Sequence, residues 1–84
     1  MASPTSVQEF AAANFLALLK QSEPSVANVA MGFNRLHRLV ECLPLTTDEF
    51  SFAHNWLTSA QQLWERDDRH AARYQVDQVA RKVL

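Results

Sequence analysis

The sequence predicts an all-α fold, a four-helix bundle of two antiparallel helical hairpins, and three observations carry that expectation. The 84 residues include one glycine, too few for a set of tight β-hairpin turns, which need residues that tolerate positive φ. Helix-start chemistry follows Pro4 and Pro44, surrounds Pro24, and recurs at Asp67-Asp68, dividing the chain into four segments of similar length. Within those segments apolar residues recur at steps of three and four, the period of an amphipathic helix. The expected helices cover about 7–21, 23–42, 47–66 and 69–84, in a single domain spanning 1–84 with residues 1–5 as a flexible N-terminus.

Each boundary has a local cause. Ser6 and Glu9 have the spacing of a capping box for the first helix. Ser22 is placed to cap the second, with Pro24 in its first turn, where a missing amide hydrogen costs nothing. Thr46 and Glu49 repeat the capping box for the third, and Leu45 and Phe50 stand at the positions of a hydrophobic staple. Asp67 or Asp68 caps the fourth, whose last turn holds Arg81 and Lys82, where positive charge complements the helix dipole.

The stripes assign most of the apolar residues to a core. They run through Val26, Val29, Phe33, Leu36, Val40 and Leu43 on the second helix and Phe50, Ala53, Trp56, Leu57, Ala60, Leu63 and Trp64 on the third. The fourth has a narrower stripe of Ala72, Val76, Val79, Ala80 and Val83. Gly32 in mid-helix costs roughly 1 kcal/mol relative to alanine, which points to a ring or helix approaching the backbone there. The first helix differs, because Val7, Ala11, Phe15, Leu18 and Leu19 lie on one side while Phe10, Ala13 and Ala17 lie on the other. Such a helix is either the centre of the bundle or a surface that a second subunit or partner covers.

Composition narrows the function. One glycine excludes glycine-rich phosphate loops. The lone Cys42 cannot form an internal disulfide or a multi-thiolate zinc site, which points to a reducing compartment and a cytoplasmic protein. The apolar run from Phe10 to Leu19 is too short to span a bilayer and follows Glu9 rather than a basic segment. A net charge of -1, with both signs in each half of the chain, argues against nucleic acid or an anionic membrane as the main partner. A core this small buries only about 60 to 65% of the unfolded chain's surface, so dimerisation would add stability.

No catalytic set, cofactor site or metal site is expected. His37 and Glu41 are one helical turn apart, but two further metal ligands are lacking nearby, so a surface ion pair is expected. The carboxylate pairs Asp48-Glu49 and Asp67-Asp68 stand at helix starts, where capping accounts for them. The candidate partner interface comprises Phe10, Asn14 and Ala17 on the first helix, Met31, Arg35 and Arg38 on the second, and Tyr74 and Arg81 on the fourth. Met, Arg and Tyr are the residue types enriched at interfaces.

From Trp56 to Val79 the pattern resembles one tetratricopeptide-type helical hairpin: Trp56, Ala60, Leu63, the turn at Asp67-Asp68, then Ala72, Val76 and Val79. Asp67 stands where that family's turn has glycine, and the first half of the chain carries no second copy. The resemblance implies a shared hairpin geometry. The expected function is a non-catalytic protein-protein interaction or regulatory adaptor module, homodimeric through the first helix. The alternatives are a dimeric DNA-binding regulator using the Arg35 and Arg38 face, with Asp77 pairing Arg73 and Arg81, or a small-ligand or pigment-binding bundle with a pocket lined by Phe33, Trp56 and Trp64.

Overall fold

A computed structural model describes residues 7–84, with side chains from Glu9 onward; the expected flexible stretch 1–5, Pro4 and the Ser6 cap lie outside the described residues. The chain forms four helices and, among the described residues, no strand: α1 (Val7–Leu19), α2 (Val26–Cys42), α3 (Thr47–Glu65) and α4 (Arg69–Lys82). They pack in a ring, α1 on α2, α2 on α3, α3 on α4 and α4 back on α1. The α3–α4 seam is the most extensive.

Local chemistry sets the ends. At α3 the Thr46 side chain accepts from the Glu49 amide at 3.1 Å while the Glu49 carboxylate accepts from the Thr46 amide at 3.0 Å, the capping box expected from the sequence. Hydrogen bonding to the carboxylate by the Thr46 backbone amide first, and by the Thr46 hydroxyl second, holds the Glu49 carboxyl below its usual range. The staple is incomplete: Leu45 packs against the core, while Phe50 is exposed and its ring stacks on His54 at 5.8 Å. Asp68 rather than Asp67 caps α4, accepting from the Ala71 amide at 3.4 Å. Asp67 instead takes the left-handed conformation, φ 66°. The amides of Asp67 and Asp68 donate to the carbonyls of Trp64 (3.0 Å) and Leu63 (2.9 Å), forming a Schellman termination of α3.

Three expectations about ends are corrected. Ser25 caps α2, its hydroxyl accepting from the Asn28 amide at 3.3 Å, and Pro24 lies before the cap. A start at Ser22 would force Glu23 into helical geometry immediately before a proline, where the proline ring disfavours it. Val26 therefore becomes the first helical residue and is 86% exposed, so the buried stripe begins at Val29. The third correction is that α1 ends at Leu19, because the Lys20 and Gln21 amides fold back onto Ala17 and Leu18 in a tighter last turn.

One core joins the four helices: Phe15 and Leu19 from α1, Val29, Phe33, Leu36 and Val40 from α2, Ala53, Leu57 and Ala60 from α3, and Val76 and Val79 from α4. Trp56 and Trp64 pack at its margin. The approach to Gly32 expected from the sequence is made by Phe15, whose ring a Cβ at Gly32 would overlap. That ring meets Phe33 edge to face at 4.8 Å.

Candidate functional site

The outward face of α1 leaves apolar surface uncovered. Ala12, Phe15 and Leu19 turn inward, whereas Ala13, Asn14 and Ala17 are exposed and Phe10 is 61% exposed. The helix is therefore not the centre of the bundle: α2 and α4 flank it, and among the described residues no third helix packs against it. The cause is arithmetic, since α1 carries apolar residues on most of its circumference and the ring supplies only two neighbouring helices.

The fold gathers half of the expected interface residues into one groove. Phe10, Asn14, Met31 and Arg35 line a cavity of about 530 Å³ between α1 and α2, with Phe15, Gly32 and Leu36 also along its walls. Met31 is 48% exposed. Ala17 stands on the ridge beside this groove, exposed. Arg38 is exposed on α2 and does not line the groove. Tyr74 and Arg81 belong to a second depression of about 460 Å³, between α1 and α4, with Leu16, Lys20, His70, Arg73 and Asp77. The candidate residues of α1 and α2 other than Ala17 and Arg38 thus share one groove, while those of α4 line a separate depression on the other side of α1.

Three arginines of α4 are engaged within the molecule, and two of them reach another element. Arg81 pairs with Asp77 at 2.8 Å, as the spacing predicts, but Arg73 does not join them. Its Nη1 donates to the Leu19 carbonyl at 3.4 Å, and Nη1 of Arg69 donates to the Ser22 carbonyl at 3.0 Å. Arg73 thus caps a carbonyl of the last turn of α1, which has no basic residue of its own, while Arg69 holds the α1–α2 corner just beyond it. Arg69 also pairs with Asp67 at 3.3 Å and covers the Trp64 ring at 4.9 Å. These contacts occupy the cations that a nucleic-acid surface on α4 would need for phosphates.

His37 and Glu41 do not form the expected ion pair. His37 turns to α3, where its ring meets His54 edge to face at 5.6 Å, a pairing between helices that spacing along one helix cannot show. Burial first, and the neighbouring His54 second, lower the His37 pKa below its ordinary 6.5, against an upward pull from Glu41. The three rings of the ligand-binding alternative meet different neighbours: Phe33 pairs with Phe15, Trp56 with Phe52 at 4.9 Å, and Trp64 with Arg69. Cys42 is an exposed thiol near the end of α2. No helix of the described residues is long and apolar enough to cross a membrane. No protein-family model, curated protein or solved structure matches the chain.

Proposed function

We propose that this chain is a non-catalytic interaction or adaptor module of the cytoplasm that docks protein surfaces, a second copy of itself included, through the outward face of α1. The observation that carries the reading is Phe10, a ring 61% exposed at the rim of a groove that also presents Met31 and Arg35. An exposed ring beside an apolar groove has the composition of an interface centre, with arginine at its edge. Docking there would bury apolar area without requiring chemistry from the site.

The test compares the wild type with Phe10→Glu and Tyr74→Ala by sedimentation across a concentration series and by affinity capture. Phe10→Glu is expected to remove concentration-dependent association and captured partners while leaving the thermal midpoint within a few degrees, because Phe10 is outside the core. Tyr74→Ala is expected to leave both intact. Association and capture unaffected by Phe10→Glu would refute the proposal.

A further inference from the structure

We infer that His37 of α2 and His54 of α3 together bind one divalent transition-metal ion of the zinc class, with water in its remaining positions. The separation of the two rings carries the inference. Their centres stand 5.6 Å apart. Two imidazoles that share one ion at about 2.0–2.1 Å have ring centres roughly 4.5 to 6.4 Å apart, for bond angles between a right angle and a straight line. The two helices therefore already hold these rings at ligating distance. Turning an imidazole about its Cβ–Cγ bond barely moves its centre, so a nitrogen can be aimed at the ion without repacking α2 against α3. At His54 a half-turn exchanges nitrogen for carbon along the same edge and keeps the ring stacked on Phe50.

The donors fix the class of ion. Imidazole nitrogen suits zinc, copper and nickel, whereas calcium and magnesium need oxygen ligands. No group of three or more His, Cys, Asp and Glu among the described residues is placed to hold a metal. The protein therefore supplies two ligands and the ion keeps open positions, unlike the closed shell of a structural zinc. His54 is exposed and His37 half-buried, so the ion enters from solvent and exchanges with it. Only the neutral imidazole ligates, and burial already disfavours the charged ring of His37. An ion held this way joins α2 to α3, and because it binds the folded chain it adds stability as free metal rises.

Calorimetric titration with Zn2+ at about pH 7.5, above the ordinary histidine pKa, tests the site. The full chain carries Cys42→Ser, which removes the exposed thiol as a competing ligand. One ion per chain is expected, with the thermal midpoint raised by a few degrees at saturation. His37→Gln and His54→Gln should each weaken binding at least about tenfold, whereas His70→Gln on α4 should leave it unchanged. X-ray absorption at the zinc edge of the loaded protein should show two imidazole nitrogens, a readout that does not depend on any histidine variant folding. Binding only at millimolar zinc, binding insensitive to both substitutions, or a zinc shell without two imidazoles overturns the inference. The docking role of α1 stands or falls separately, on Phe10→Glu.

Discussion

Gly32 lets the Phe15 ring lie directly on the α2 backbone, so adding one methyl group there sets two effects in opposition. Alanine gains about 1 kcal/mol of helix propensity. The overlap costs more, because the ring is buried and held edge-on by Phe33, and overpacking a filled core costs typically 1–3 kcal/mol. Gly32→Ala is expected to destabilise by about 1 kcal/mol, read from the urea midpoint at unchanged slope. His37 gives a second prediction at this scale. Its folded pKa lies below the ordinary 6.5, so the unfolded chain binds the proton first and stability falls as pH drops through 6.5, levelling off below the folded value. His37→Gln should flatten that part of the stability profile. Neither contact was fully legible from residue types: the mid-helix glycine announced a close approach but not which ring makes it, and the His37–His54 meeting depends on how α2 lies against α3.

Helix ends show where local chemistry suffices and where it does not. The box at Thr46 and Glu49 was readable because both partners stand within four residues. At α2 the cap expected at Ser22 moves to Ser25, because Pro24 keeps Glu23 out of helical geometry. The end of α1 was unreadable in its own segment, since Arg69 and Arg73 reach it from α4. The α3–α4 turn was read as a hairpin and is one, with Asp67 doing in the left-handed conformation what the resembling hairpins assign to glycine. That conformation costs an L-residue roughly 1–2 kcal/mol. Asp67→Gly should therefore stabilise the protein by up to about 1 kcal/mol, after loss of the exposed pair with Arg69 and the greater freedom of glycine in the unfolded chain. The measurement is a thermal midpoint raised by a few degrees.

At the scale of the whole molecule, the ring order explains why apolar surface is left over. The described residues measure 38 × 30 × 19 Å, about two helix diameters thick, so no helix is enclosed on all sides and the one without a polar face bears the excess. The sequence located that excess on the first helix, but whether the helix was central or peripheral depended on which neighbours it acquired. The same order has a topological consequence. The end of α1 meets the start of α4 through Arg69 and Arg73, and these two helices run in opposite directions, which brings Val7 and Lys82 to one end of the bundle. A circular permutant that links them with a short flexible segment and opens the chain at the α2–α3 corner, before Pro44, should keep one cooperative thermal transition and the native far-UV spectrum. Loss of that transition would show that the corner at Pro44 is required as a covalent hinge, and its retention that the ring of four helices has no obligatory first member.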